Sequence, residues 1–499
     1  MTDVRDRVRE VCRDAVEQLP AGAASDAVGA VGAKLDEPLQ VTVAGGVSSG
    51  KSTLVNALLG QRVAPVDAGE CTRVVTRFRY GHHEHAEVHL LDGTVHQVAL
   101  AEGSLPAELP APPTQVREVV VHLSNGRLRT LGIVDTPGMN TTTSAHEDAA
   151  GDFLGLTADG KAGQETAQAI GRADALVLLM PHLRQSDASV LQGFRRLYSG
   201  HGLSSFNALA VLSKIDQLAP TGDPLEVAAP IADRVAGETR GLVSDVLPVL
   251  GLLAETATTA SLTEHDARDL ATLAAFGDDL DREDLLVSAD SFLTLDGPDV
   301  PVERRQRLLA LIGLYGVRLA FDLLDSGSHG AGPLLREFEQ RSGLAPLQDL
   351  VFGRLGRHAS LLKAHHALSD LRRLAHDRGW SADEATVMAR LRAPLEQIEL
   401  DPSLHHLRVV EVLQDAIAGD LRLPATMVAD LERLATGTDP LTRLGATRAD
   451  EARQAAARGA SVWGRFANDP RRRPPDARRA RAVKEAYELL WAELDGGAQ

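Results

Sequence analysis

The sequence predicts an α/β domain with a mostly parallel sheet and helices on both faces, followed by an all-α elongated helical bundle. Three observations carry this expectation. Short, largely apolar runs at 39–44, 131–135 and 208–212 read as buried strands, each leading into a loop with small polar residues. A glycine-rich turn joins the first run to an apolar stretch of helical character. From about residue 263 the strand signals stop and helical periodicity takes over.

The first element precedes the sheet. Val4, Val8, Val11, Cys12, Ala15 and Leu19 fall on one helical face, with Arg, Asp and Glu on the other. The polar face mixes both signs and the apolar face lacks large residues. This predicts that residues 1–37 form helices joining a bundle rather than an interfacial membrane helix. The segment also lacks the charged-then-apolar pattern of a secretion signal.

The turn at 45–52 reads Gly-Gly-Val-Ser-Ser-Gly-Lys-Ser, with a strand before it and Thr53-Leu-Val-Asn-Ala-Leu-Leu after it. That is a phosphate-binding P-loop in its expected setting, where backbone N–H groups and the positive end of a helix converge on one point. The candidate nucleotide-binding residues here are Gly45, Gly46, Val47, Ser48, Ser49, Gly50, Lys51, Ser52 and Thr53. Gly45 and Gly50 permit the loop angles, Lys51 reaches the β/γ-phosphates, and the Ser52 hydroxyl suits Mg²⁺.

Thr72 follows Ser52 by twenty residues, on a loop that precedes a strand-like stretch ending at Tyr80. In this position its hydroxyl would complete the Mg²⁺ shell and its backbone would hold an attacking water, the role of a switch I threonine. Leu131–Gly138 is a buried strand ending in Asp-Thr-Pro-Gly. Asp135 is placed on the metal through water and the Gly138 amide on the γ-phosphate.

The run 208–212 leads into Ser213-Lys-Ile-Asp216. A carboxylate at Asp216 can accept hydrogen bonds from guanine N1 and N2 while the Lys214 stem lies along the base. Adenine would leave that carboxylate unpaired, so the feature selects GTP over ATP. Six of the 52 basic residues are lysine, and two of those six fall at 51 and 214. In so arginine-rich a chain this argues for geometry rather than solvated charge.

These stretches resemble the motifs of dynamin-like GTPases, and more narrowly the actinobacterial dynamin-like proteins of the isoniazid-inducible type. The resemblance is carried by residues 46–60, 71–81, 135–138 and 248–254, and further along by Arg341–Leu347 and Leu361–Leu368. It implies GTP hydrolysis assisted by Mg²⁺ and by a monovalent cation, K⁺ or Na⁺. It also implies contact between two G domains, association with itself or with a second dynamin-like chain, and membrane remodelling at a lipid surface. Ser48, Lys51 and Thr72 become the candidate catalytic residues. Two positions depart from the patterns of related enzymes: Met139 follows Gly138 where Ras-type enzymes carry a water-orienting glutamine, and Val47 stands where dynamin-type enzymes carry theirs. Turnover is thereby placed in question while binding is not. Arg73 and Arg77 lie near the site and read as solvated loop or edge-strand charges rather than as an arginine finger.

In the second half, Leu308–Leu324 is the longest apolar stretch, but it contains Arg318 and Asp322. It is too short and too charged to cross a bilayer about 30 Å thick, and a buried bundle helix is expected instead. Leucines from Leu347 to Leu374 form a stripe with no proline after Pro346, consistent with one helix of more than 25 residues. Further helices are predicted across 383–399, 405–419, 425–435, 447–466 and 475–494, with a candidate tip at 325–332. The predicted domains are therefore 1–37 joining the bundle, a G domain at 38–262, and the bundle or stalk at 263–499.

Composition fits this layout. At 499 residues the chain exceeds one core, and with only 3% aromatic residues the core must be aliphatic. Cys12 and Cys71 sit in unrelated contexts and do not suggest a disulfide framework, which points to a reducing cytoplasm. A basic cluster between Arg465 and Lys484 contrasts with a net charge of −17. It could face the anionic lipid of the inner membrane surface or simply pair with the acidic remainder. Nucleic acid is not expected as a partner, because no aromatics are interleaved and the whole chain is acidic. That also weighs against an Era-like ribosome-assembly GTPase. A nucleotide-gated interaction protein with little hydrolysis is the alternative that Val47 and Met139 favour. The histidines at 82–89 do not spell a zinc-protease motif and read as a solvated hairpin.

Overall fold

The structure is a computed structural model describing residues 3–46, 48–65, 74–101, 103–106, 108–137, 173–181, 206–218, 222–239, 242–377, 379–399, 401–419, 421–437 and 439–496. Nine strands form one sheet: β1 (Leu39–Gly45), β2 (Thr76–Tyr80), β3 (His85–Leu90), β4 (Val95–Val98), β5 (Val116–Leu123), β6 (Leu131–Asp135), β7 (Ala175–Pro181), β8 (Ala208–Ser213) and β9 (Val246–Pro248). Their order is β4-β3-β5-β2-β6-β1-β7-β8-β9. β6, β1, β7, β8 and β9 run parallel, so their carboxyl ends share one edge of the domain. β2 pairs antiparallel with β6 and parallel with β5, and the β3–β4 hairpin is antiparallel to β5.

The central strands are apolar on both faces because both faces are covered. Leu39, Val41, Val43, Val177, Leu179, Leu209 and Val211 point to one side. There they meet a core shared with the N-terminal helices and the helical segment around Leu347–Leu371. The alternate residues Ala44, Leu176, Leu178, Ala210 and Leu212 point to the other side and meet Leu253, Leu308, Phe321 and Phe338. The helices between 251 and 340 therefore close the second face of the sheet. A third core around Val409, Leu413, Leu431, Trp463 and Val483 belongs to the last helices.

The N-terminal helices Val4–Gln18 and Ala23–Asp36 pack on each other and on the helix Ala359–His376, as their apolar face predicts. Asp3 caps the first of them by accepting from the Arg5 amide, and Arg7 pairs with Asp401 at 2.7 Å. The stretch Leu308–Leu324 lies in the helix Val302–Asp325 and is largely buried, as expected, but the helix is kinked at Gly313, whose φ of 66° only glycine adopts readily. No described helix is long and apolar enough to cross a membrane. The Leu347–Leu374 stripe is helical throughout, yet not as one regular helix: Leu344–Gln348 passes into a wide π turn at Asp349–Leu355, and a break at His358 precedes Ala359–His376.

Further on, the helices are Ala382–Arg390, Arg392–Glu399, His405–Ala418, Ala425–Thr436, Ala449–Ala467 and Pro474–Gly496, close to the predicted spans. The loop after Asp325 is held where the Ala331 amide donates to Glu264 Oε1 at 3.1 Å.

Candidate functional site

The site is assembled at the carboxyl edge of the parallel strands. β1 ends at Gly45, and the helix Lys51–Leu59 starts six residues later. Gly45 can be nothing larger: a Cβ there would lie 2.6 Å from the Leu179 carbonyl oxygen and 2.9 Å from Ser49 Oγ. Gly50 caps the helix at φ 93°, and Ser48 holds φ 56°. A left-handed serine is uncommon and costs free energy, of the order of 1 kcal/mol, that the surrounding loop must offset.

Lys51 is buried, and its Nζ donates to the carbonyls of Gly45 at 3.0 Å and Gly46 at 2.8 Å. Burial lowers its pKa, with Asp135 opposing. Ser52 Oγ donates to Asp135 Oδ2 at 2.7 Å, which ties the helix start to the end of β6. The other oxygen, Asp135 Oδ1, is buried without a hydrogen-bond partner. Burial raises the Asp135 carboxyl to about 6, against the pull of Ser52 and Lys51. A carboxylate with one orphaned oxygen beside a serine hydroxyl is the donor set that suits a hydrated divalent cation. Thr136 Oγ1 donates to the Val43 carbonyl at 2.9 Å and fixes β6 to β1 at this level.

Lys214 and Asp216 emerge from β8, two strands from β1, about 10 Å across the sheet. Lys214 takes the left-handed conformation at φ 55° and opens the short 3₁₀ turn Ile215–Gln217, which carries Asp216. The glycine-rich turn after β1 and the Lys214–Asp216 turn after β8 thus share one edge. Thr53 is buried with its methyl facing Gly251. Val47, Thr72, Gly138 and Met139 lie outside the described residues, as do Cys71 and Arg73. Arg77 is not an edge-strand charge: β2 lies inside the sheet, and Arg77 is buried with its Nε 2.6 Å from Glu118.

The sequence reading missed a buried network beside the loop. Asn56 Nδ2 donates to Glu255 Oε1 at 2.8 Å and to the Ala64 carbonyl at 2.9 Å, while its Oδ1 accepts from the Val63 and Ala64 amides. Arg62 Nε lies 3.5 Å from Glu255. An asparagine in the otherwise apolar stretch Leu54–Leu59 was the available signal. The helix Gly251–Thr258 that carries Glu255 packs on the P-loop helix, on Val302–Asp325 and on Ala331–Gln340. Leu250 donates its amide to the Ser342 carbonyl at 2.9 Å, and a Cβ at Gly343 would lie 2.3 Å from the Pro248 carbonyl oxygen. The stretches 248–254 and 341–347 therefore pack on one another beside the site.

A strand, a glycine turn around a buried lysine, a serine joined to the acid of a neighbouring strand, and a Lys-x-Asp loop two strands away define a P-loop nucleotide-binding domain of the GTPase class. The sequence profile of the dynamin family matches residues 41–215. The isoniazid-induced protein IniC of Mycobacterium tuberculosis is 32% identical over 479 residues, covering 93% of this chain and 92% of that one. The chain belongs to the dynamin family. A bacterial dynamin-like protein of Nostoc punctiforme is 30% identical over 126 residues, covering 22% of this chain and 18% of that one. A solved chain from an oligomerised bacterial dynamin pair is 13% identical and superposes with a TM-score of 0.33 over 99% of this chain and 75% of that chain, too loosely to carry an argument.

Proposed function

We propose that the protein binds GTP with Mg²⁺ and hydrolyses it, and that this cycle is coupled to association with itself or with a second dynamin-like chain at the inner face of the membrane. The observation that supports this most is the joined pair Ser52–Asp135, with Asp135 Oδ1 buried and unpartnered beside the P-loop. Ser52 would ligate the ion and Asp135 would hold it through water. Bound there, Mg²⁺ offsets phosphate charge as it develops.

The chain's own groups have separate tasks. Lys51 must leave the Gly45 and Gly46 carbonyls to meet the β/γ-phosphates, so the loop stores this cation in place. The loop amides and the start of the helix Lys51–Leu59 cradle the same oxygens. Lys214 flanks the base and Asp216 accepts from its N1 and N2. We assign water alignment to Thr72 and Ser48, ordered by a second G domain, since neither Val47 nor Met139 can do it. We take residues 38–262 as the G domain and residues 1–37 with 263–499 as the helical part that responds. The turn at 468–473 between the last two long helices is the surface offered to anionic lipid. Arg471 is 88% and Arg473 67% exposed there, although both pair with nearby aspartates, Asp469 and Asp476, which limits the free charge.

Two variants test the nucleotide reading. Lys51→Ala should weaken binding of a fluorescent GTP analogue by about 100-fold or more, through loss of charge-assisted bonds to phosphate. Unchanged affinity would overturn the P-loop role. Asp216→Asn should bring the preference for GTP over ATP down to about tenfold or less, because a carboxylate paired to guanine N1 and N2 is what rejects adenine. A full preference in that variant would move base reading elsewhere.

A further inference from the structure

A histidine–carboxylate cluster lies on the outer half of the sheet. β3 presents His85, Glu87 and His89 on one face, because strand side chains alternate, and the antiparallel register sets His122 of β5 directly opposite His85. The two rings stack with centroids 4.6 Å apart and planes 5° from parallel. His85 Nε2 lies 3.6 Å from Glu87 Oε1 and His122 Nε2 lies 3.8 Å from Glu87 Oε2. One ligand atom from each of the three residues falls within 4.8 Å of the others.

Hydrogen bonding decides which ring nitrogens are free. His85 Nδ1 lies 3.0 Å from the His83 carbonyl oxygen, which can only accept, so Nδ1 carries the proton and Nε2 keeps its lone pair. The His122 ring bonds to the Tyr80 backbone, while its Nε2 is buried without a partner. His89 is arranged the other way round. Its Nδ1 accepts from Arg117 Nη2 at 3.4 Å, leaving Nε2–H to donate to Glu87 Oε2 at 3.2 Å. Two imidazole nitrogens with lone pairs and one carboxylate therefore cluster within 4.8 Å, and a third histidine braces the carboxylate. Backbone carbonyls that orient ligating histidines, and a donor that orients a ligating carboxylate, are the supports metal sites use. Arg79 sits beside His122 in the β2–β5 register, and Glu37 at 3.3 Å offsets its charge.

The geometry points to a transition-metal site formed by His85 Nε2, Glu87 and His122 Nε2, suited to Zn²⁺ and leaving a position for water. Imidazole with carboxylate favours such an ion over Mg²⁺ or Ca²⁺, which take oxygen donors. Bonds of about 2.0–2.1 Å require ligand atoms about 3.3 Å apart, so metal binding requires the rings to tilt out of their parallel stack until both lone pairs meet on the ion. The ion would fasten the β3–β4 hairpin to β5. It is separate from the Mg²⁺ position at Ser52 and Asp135, since Asp135 stands opposite Thr76, at the other end of β2 from Arg79 and His122. The third ligand comes from another strand, which is why the local histidine pattern at 82–89 reads as a solvated hairpin.

The test titrates the full chain, stripped of metal by a chelator and free of nucleotide, with Zn²⁺ against a chromophoric competitor, and with Co²⁺ followed by visible absorption. Wild type should bind one more Zn²⁺ than His122→Ala, and its Co²⁺ form should show the bands of a low-coordinate site. His89→Ala should weaken Zn²⁺ by about 10–100-fold through loss of the brace. His83→Ala, an exposed side chain outside the ligand set, should bind like wild type. Glu87→Gln keeps shape at a half-buried position and decides the matter if His122→Ala folds poorly. Wild-type zinc stoichiometry and affinity in Glu87→Gln, or a Co²⁺ form without visible bands, would overturn the site.

Discussion

His406 is held uncharged by its surroundings. It is stacked edge-on against Phe206, which also meets His358, and burial with Arg443 and His358 nearby lowers its pKa to about 4. The unfolded chain protonates this ring near 6.5, so between about 6.5 and 4 the unfolded state binds more protons and stability falls as pH falls. The full effect is about 3 kcal/mol, present above that window and gone below it. His406→Gln should flatten the fall in melting temperature between pH 7 and pH 5, and a wild-type slope in the variant would remove His406 from the account. Asp174 acts at a lower pH. Burial pushes it up, but bonds from His366 and the Gln40 amide and the charge of Lys363 at 3.1 Å hold it down to about 2.

At the scale of elements, Asn56 couples three segments: its own P-loop helix, the segment Val63–Ala64, and the helix Gly251–Thr258 through Glu255. Asn56→Ala strips partners from two buried amides and a buried carboxyl, at about 2–4 kcal/mol. A melting temperature unchanged in that variant would show that water replaces the asparagine. The elements themselves were largely legible. Val4–Gln18 and the late helices announce themselves through period and breaks, although the span 383–399 is two helices broken at Leu391, and β1, β6 and β8 through apolar runs. That Gly45, Lys51, Ser52 and Asp135 come together was legible because the P-loop is contiguous and its partner strand ends in an acid. What stayed hidden depends on partners far apart in sequence: Glu255 under Asn56, His122 opposite His85, and the covering of the second sheet face by helices 251–340. Gly313 was equally hidden, since only its φ of 66° distinguishes it from an ordinary helical glycine.

At the scale of the whole molecule, two hydrophobic cores flank the sheet and a third binds the last helices, with Phe206 packed against both the first and the third. The helix Gly251–Thr258 links the P-loop helix to the helical layer behind it, so a change at the P-loop has a packed route into the rest of the chain. If a second G domain aligns the water, turnover per molecule should rise several-fold as enzyme concentration rises, with K⁺ accelerating it and Thr72→Ala abolishing the increase. A specific activity flat across a wide concentration range, with lipid or a partner chain present, would favour nucleotide-gated binding instead. The N-terminal hairpin adds a consequence of another kind. Its apolar residues Val8, Cys12, Val28 and Leu35 are buried in a core shared with Leu362 and Leu371. On the ribosome that face emerges before its cover and waits through roughly 320 further residues, about 16–65 s at about 5–20 residues per second. Until then it is a greasy helical pair without the helix that covers it, which makes it a segment a chaperone would hold while the rest is made.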